Sequence, residues 1–411
     1  MAVVDVTPLR EAPGFRWLFF GYFFVHAGRQ LTIVAVPFQI FDITGSTLAV
    51  GLLGLAQLIP LLLLSIVGGA LADAFDRRKI LVLSPIVLAL TSAGLMWNAL
   101  ADTPLLWPLF VLSAINAGVS AIDGPARQAM VPNLVGNKLL PSALAINQTL
   151  INVAKAAVPA LGGLLIATAG LPFTFGVETA FFLLATLLMR GLPAMTVKGG
   201  GRRLEMSSVI EGFKFLKNMR LIQAAMVIDL NAMVFGMPTA LFPAMGTEVF
   251  GGDAFTVGLL YAAPGAGALL GALTSGWVVT IRRQGRAVVL AVVGWGVAMG
   301  VFGLSSSLWV GLTMLALAGA ADVVSAIFRS TIIQLTTPDE LRGRVSSMHL
   351  AVVTGGPRLG DLEAGVVAAL TSVRFSVVSG GVACVLGALA VARWAPAFLR
   401  YRPDIGEQAT P

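Results

Sequence analysis

Runs of about twenty apolar residues, separated by short polar connections, recur from one end of the chain to the other, and that is the length a helix needs to cross a bilayer. They lie near 15–39, 47–71, 79–100, 105–127, 140–168 and 172–191, then near 220–245, 255–280, 287–304, 308–335, 344–370 and 375–394. The runs are continuous rather than alternating, which excludes a transmembrane barrel. Only 11% of the residues are charged, against about 25% in an average soluble domain, so a soluble globular chain is excluded too. The 46 glycines and 21 prolines would break long helices in water but are tolerated in membrane spans, where neighbouring helices satisfy the freed backbone groups. The stretch from Phe15 to about Phe41 is too long for the apolar core of a signal peptide and lacks a small-residue cleavage site, so it is expected to be the first span. The pattern predicts an all-α integral membrane protein of twelve transmembrane helices.

The two sets of six runs are joined by the longest polar internal segment, 191–219, where Gly199, Gly200 and Gly201 precede Arg202 and Arg203. Within it, Val209, Ile210, Phe213 and Leu216 are spaced as on an interfacial helix over Ser207 to Asn218. The expected organisation is an N-terminal six-helix half over 1–190, a cytoplasmic linker over 191–219, a C-terminal six-helix half over 220–395 and a cytoplasmic tail over 396–411. Short cytoplasmic loops collect Lys and Arg. Placing both termini inside gathers Arg77, Arg78, Lys79, Lys138, Arg190, Arg282, Arg283, Arg286, Arg342 and Arg344 on the cytoplasmic side, with Arg374 alone in the opposite loops. That topology accounts for the net charge of +7 without a nucleic-acid partner; the partners expected are the lipid bilayer, protons and a small-molecule substrate, with the chain a monomer.

An internal repeat supports two pseudo-symmetric halves in the same orientation. Val50-Gly51-Leu52-Leu53 recurs as Val257-Gly258-Leu259-Leu260, and Pro37, Gln128 and Pro132 have counterparts in Pro243, Gln334 and Pro338 at nearly the same offset. Such parallel repeats hold the substrate between them.

Ionisable groups at membrane depth are costly and usually face a cavity or a partner. On the first run Tyr22, His26 and Arg29 share a helical face, and on the fourth Asn116, Ser120, Asp123 and Arg127 do so. The seventh run carries Asp229 and the tenth carries Asp322, Ser325 and Arg329, whereas the third, ninth and twelfth are nearly free of charge. Runs one, four, seven and ten are equivalent in a two-fold repeat, so Tyr22, His26, Arg29, Asn116, Asp123, Asp229, Asp322 and Arg329 are the candidate lining of a central substrate cavity. Each also has a structural reading: His26 or Arg29 pairing with Asp229, Arg127 snorkelling to the surface, Asp322 as a permanent ion-pair partner. Burial favours the protonated form of a carboxyl and a nearby guanidinium the ionised form, which makes Asp322, with Asp229, the candidate for proton coupling.

The fifth run places Gln148, Asn152, Lys155 and Pro159 on one face, followed by Gly162 and Gly163, and the eleventh places Thr354, Arg358 and Asp361 together with Glu363 nearby. Gly355-Gly356-Pro357 is expected to kink the eleventh helix. Lys155, Arg358, Asp361 and Glu363 are candidates both for polar contacts between the halves and for substrate contact. Two histidines and one cysteine, Cys384, supply neither a disulfide framework, nor a metal cluster, nor the nucleophile and base of an enzyme; no cofactor is expected.

Between the second and third runs the chain reads Gly68-Gly69-Ala70-Leu71-Ala72-Asp73-Ala74-Phe75-Asp76-Arg77-Arg78-Lys79. This resembles the signature loop of the major facilitator superfamily, with Ala74 where a basic residue is usual and Asp76 where glycine is usual. The resemblance implies a gating role for Gly69, Asp73, Arg77 and Arg78, with Asp123 as acidic partner of Arg77 and Asp73 at the start of the eleventh helix. The second-half copy, Gly276 to Arg286, is more degenerate, with Thr280 at the aspartate position. Pro159-Ala160-Leu161-Gly162-Gly163 resembles the end of that superfamily's antiporter motif, a helix-packing element, with Val158 in place of the usual glycine. Leu259 to Ala263 through Gly271 to Gly276, Val131 to Gly136, and Thr336-Thr337-Pro338 with Leu341, Gly343 and Arg344 are similar to the siderophore-exporter family of the drug-efflux branch.

Together these features imply a major facilitator fold in the bacterial inner membrane and a proton-coupled exporter of a siderophore-like metabolite or drug, working by rocker-switch alternating access. An importer on the same fold, or a broad multidrug pump without a siderophore role, stands as the alternative.

Overall fold

The computed structural model describes residues 5–194 and 219–403. The stretch Ser207 to Asn218, Gly199 to Arg203 and the tail from 404 onward lie outside the described residues. Nine helices among those described are long and apolar enough to cross a membrane. The long helices of the chain begin with α1 (Pro13–Thr44), α2 (Thr47–Ala74) and α3 (Arg77–Leu100). The next, Leu106–Met189, turns sharply at Gly136 (φ 67°) and Gly170 (φ 84°), and so forms three pieces, α4 (106–135), α5 (137–169) and α6 (171–189). Then come α7 (Arg220–Phe235), α8 (Ala254–Leu273), α9 (Gln284–Leu304), α10 (Leu308–Thr336), α11 (Asp339–Leu370) and α12 (Val373–Trp394). Among the described residues there is no strand.

Local chemistry sets the ends of these helices. Gly45, in the left-handed region at φ 59°, closes α1 by donating its N–H to Phe41 O at 2.7 Å, a conformation that a residue without Cβ adopts at no steric cost. Asp76 starts α3, its carboxylate accepting from Arg78 N at 3.0 Å. The aspartate that departs from the signature loop is therefore a helix cap. Asn98 bridges the turn into α4 through its whole amide, donating to Leu105 O and accepting from Leu105 N, both at 3.0 Å. Before α1, the hydroxyls of Thr7 and Ser142 donate to Asp5 and hold its carboxyl below the ordinary carboxylate range.

The described residues divide into two compact units: 5–194 with Phe242–Gly265, and 219–241 with the residues from Ala266 to 403. In the first unit, Phe15, Leu18, Val25, Leu88, Met130 and Phe182 form a buried core between α1, α3, α4 and α6. Here α5 meets α8 at glycines. A Cβ on Gly163 would lie 2.8 Å from the Cα of Gly258, and one on Gly265 would lie 2.5 Å from the Lys155 carbonyl. The Pro159 to Gly163 segment is thus a surface on which two backbones touch.

In the second unit, α7 stops at Phe235 and the chain resumes in a short 3-10 turn, Thr239–Leu241. Backbone groups freed inside a bilayer must find partners in the protein. The indole N–H of Trp295 on α9 donates to Gly236 O at 2.6 Å, and Asp361 on α11 accepts from Thr239 Oγ1 at 2.6 Å and from Ala240 N at 2.8 Å. By contrast α11 runs through Gly355, Gly356 and Pro357 without interruption, and Arg358 donates to the Thr354 carbonyl one turn back at 2.7 Å.

Large apolar side chains cover the outside, including Leu90 and Trp97 on α3, Leu290 and Leu304 on α9, and Leu386 and Leu389 on α12. These three helices carry charge only near their ends, and lipid is the solvent that suits such a surface. Trp97, Trp107 and Trp309 stand exposed beside the connections at 101–105 and 305–307, where an interfacial aromatic belt belongs.

The α5–α8 contact yields a test. Gly163→Val adds carbon where Gly258 already sits and is expected to destabilise the purified protein by about 1–3 kcal/mol, lowering its thermal midpoint in detergent. Gly294→Ala, on a glycine with nothing within 4 Å of its Cβ direction, is expected to leave the midpoint unchanged.

Candidate functional site

Each unit carries one polar cluster. In the first, Arg29 on α1 donates to Asp123 Oδ2 on α4 at 2.9 Å. One helical turn along α4, the Arg127 guanidinium lies 3.8 Å from the ring centroid of Tyr22, in cation–π geometry. The His26 ring is 5.7 Å from that of Tyr22, and Arg29, Arg127 and Lys155 all lie within electrostatic reach of it. Three cationic side chains from α1, α4 and α5 thus gather near His26, and one of them, Arg29, is paired with a carboxylate. Several of their nitrogens are buried without a hydrogen-bond partner: His26 Nε2, Arg29 Nε and Arg127 Nε. Asn116 lies on the same stripe of α4, its carbonyl accepting from Ser120 Oγ at 3.0 Å.

In the second unit the polarity is reversed. Asp229 on α7 is fully buried and meets Arg329 on α10 at 2.7 Å. Arg329 also donates to Ser325 Oγ at 2.8 Å and lies 3.9 Å from Asp322 Oδ1 on its own helix. The Asp322 side chain is 34% exposed, whereas that of Arg329 is 2% exposed. His349 on α11 is within electrostatic reach of Arg329. One guanidinium therefore serves two carboxylates, a sealed one on a neighbouring helix and an accessible one two helical turns away.

The remaining candidate residues divide between the units. Gly69 and Asp73 lie on α2, where side chains fall outside the described residues. Arg77 donates to Ala129 O at 3.2 Å and Arg78 to Arg190 O at 2.7 Å, while Asp123 is taken by Arg29. Asp361 bonds backbone and hydroxyl at the break after α7, with Arg358 within electrostatic reach. Glu363, also on α11, is half-buried. Pro159, Gly162 and Gly163 are buried in the first unit. A separate cleft of about 580 Å³, lined by Glu11, Gly14, Trp17, Asn133, Leu139 and Pro193 among others, shares no residue with either cluster.

Glu178 on α6 escapes the sequence reading. It is fully buried, its Oε1 accepts from Thr32 Oγ1 on α1, and its Oε2 has no hydrogen-bond partner. Its signal was available: an acidic residue in the middle of an otherwise apolar run. Among the described residues no group of three or more His, Cys, Asp or Glu side chains could hold a metal ion.

Removing one member of a buried pair strands the other. Arg329→Gln is expected to cost about 3–5 kcal/mol in stability, read as a lowered thermal midpoint, and Asp229→Asn added to it is expected to recover most of the loss.

The profile of the transmembrane secretion effector family matches residues 4–398. Over 392 residues the chain is 31% identical to the enterobactin exporter of Citrobacter koseri, covering 94% of this chain and 93% of that protein, and it matches the enterobactin exporter of Escherichia coli to the same extent. Its fold is similar to that of a bacterial homologue of the human lysosomal transporter Spinster, with TM-score 0.74 and 17% identity, covering 95% and 98% of the two chains. It is also similar to a bacterial homologue of the iron transporter ferroportin, with TM-score 0.70 and 16% identity, covering 93% and 98%. These proteins are transporters, not enzymes. On the match of nearly its whole length, the chain belongs to the transmembrane secretion effector family of the major facilitator superfamily.

Proposed function

We propose that the protein is a proton-coupled secondary exporter of a small amphipathic molecule, a siderophore-like metabolite or a drug. It works as a monomer in the bacterial inner membrane with twelve crossings and both termini in the cytoplasm. Two six-helix halves admit substrate from one face at a time by rocker-switch alternating access. Export and substrate type follow the relatives, 31% identical over 94% of the chain; orientation follows the placement of Lys and Arg in the connections; alternating access follows the parallel repeat.

The observation that carries proton coupling is the sharing of Arg329 between Asp229 and Asp322. A proton on Asp322 cancels its hold on the guanidinium and leaves Arg329 to Asp229 alone; losing the proton restores the competition. The occupancy of an accessible carboxyl thereby changes how tightly α10 is tied to α7. In this reading Tyr22, His26, Arg29, Asn116, Asp123, Asp229, Asp322 and Arg329 line the transport route. Gly69, Asp73, Arg77 and Arg78 gate it, and Lys155, Arg358, Asp361 and Glu363 act in polar contacts that change with access.

Inverted vesicles loaded with a pH-gradient dye provide the test. Adding a catecholate siderophore is expected to trigger proton release that Asp322→Asn abolishes, while counterflow without a gradient persists in the variant. Uphill transport by Asp322→Asn at the wild-type rate removes Asp322 from coupling. A response only to a lipophilic cationic drug makes the protein a multidrug pump, and net uptake in right-side-out vesicles makes it an importer.

A further inference from the structure

We infer that the cluster of Tyr22, His26, Arg29, Asp123, Arg127 and Lys155 is an anion-binding subsite, and that the transported molecule carries a negatively charged head group such as a carboxylate or sulfonate. This deepens the export reading and rests on it only in taking the bound molecule to be the one transported.

Charge balance is the first argument. Three permanent cations lie within electrostatic reach of His26, and among the described residues the one carboxylate bonded to any of them, Asp123, is committed to Arg29 at 2.9 Å. No salt bridge involves Arg127 or Lys155 among the described residues. Among the described residues Glu178, also at membrane depth in this unit, is fully buried and accepts from Thr32 Oγ1. Excess charge of one sign in a membrane interior is expensive, and a purely structural network has no use for it. In the second unit the ratio is reversed, with Arg329 met by two carboxylates and a hydroxyl.

Directed, unspent donors are the second. The Arg127 guanidinium spends its face on the Tyr22 ring, which leaves the N–H groups along its edge for an acceptor in its plane. A planar guanidinium meets carboxylates and sulfonates through that edge. Its Nε is buried with no partner, as are Arg29 Nε and His26 Nε2, so the unmet donors belong to the same group of side chains. The ammonium of the exposed Lys155 completes the set from α5. On the same face of α5, Gln148 and Asn152 bond each other at 3.2 Å, a neutral surface that suits the rest of an amphipathic molecule.

The test uses full-length protein in lipid nanodiscs and three probes of one shape: 1-naphthoate, its neutral methyl ester and 1-naphthylmethylammonium. Radiolabelled naphthoate is expected to bind saturably, to be displaced by 1-naphthalenesulfonate, and to resist displacement by ester or ammonium. Arg127→Gln and Lys155→Gln are each expected to weaken naphthoate by about tenfold or more, whereas Lys155→Arg keeps the affinity. Gly294→Ala, on a glycine with nothing within 4 Å of its Cβ direction, is expected to leave naphthoate binding unchanged. Preference for the ester or the ammonium, absence of saturable naphthoate binding, or unchanged affinity in both glutamine variants overturns the proposal. If either glutamine variant fails to fold by its thermal melt, wild-type selectivity and the charge-retaining Lys155→Arg decide alone. Direction is read separately: naphthoate counterflow that runs inward defeats export while leaving anion binding intact, and outward flux of the ammonium alone defeats anion binding while leaving export intact.

Discussion

An arginine held by an aspartate on a neighbouring helix, with little water to share the charge, is the interaction on which both units depend. In the first unit the pair is Arg29 on α1 with Asp123 on α4; in the second it is Asp229 on α7 with Arg329 on α10. The helices correspond under the internal repeat, but the signs are exchanged. The apolar faces of such helices are as content against lipid as against one another, so burying them gives little reason to prefer one neighbour. A guanidinium does give that reason, because only a carboxylate or an equivalent set of acceptors offsets its presence there. The pairs therefore select which helices adjoin, and glycine contacts such as Gly163 with Gly258 set how closely.

Much of the architecture was legible in the sequence because bilayer thickness imposes a length and short connections impose an order. Tight turns were less so: Gly136 and Gly170 reverse the chain in a single residue, and nothing distinguishes them from the many glycines within helices until their positive φ is seen. The polar stripes on α1, α4 and α10 follow from helical spacing, but spacing assigns faces and not partners. By sequence, Asp123 was tied to Arg77 through family resemblance and Asp229 to Arg29 or His26; in the structure Asp123 meets Arg29, and Asp229 meets Arg329. Asp361 illustrates a different limit. Charged residues near it invite an ion-pair reading, while its bonds go to a hydroxyl and a backbone amide at a helix break that composition does not reveal.

The two clusters differ in their balance of charge. In the first, Arg127 and Lys155 enter no salt bridge among the described residues, and in the second one guanidinium meets two carboxylates. If an anion leaves the cell while a proton enters, two charges move in the same sense across the membrane. An inside-negative potential then contributes about 4.6 kcal/mol per 100 mV to each cycle, beyond the chemical gradient of protons.

The break after α7 bears on how the protein is made. Arg220–Phe235 has 16 residues, about 24 Å of helix, and the membrane-length segment reaches Val249 only across the break. The Trp295 indole that serves the Gly236 carbonyl and the Asp361 carboxylate that serves Thr239 and Ala240 come 59 and about 120 residues later in the chain. During synthesis the seventh helix thus emerges with exposed backbone polarity and no protein partner for it. Its settled position has to wait for the translation of α9 and α11, which supply those partners.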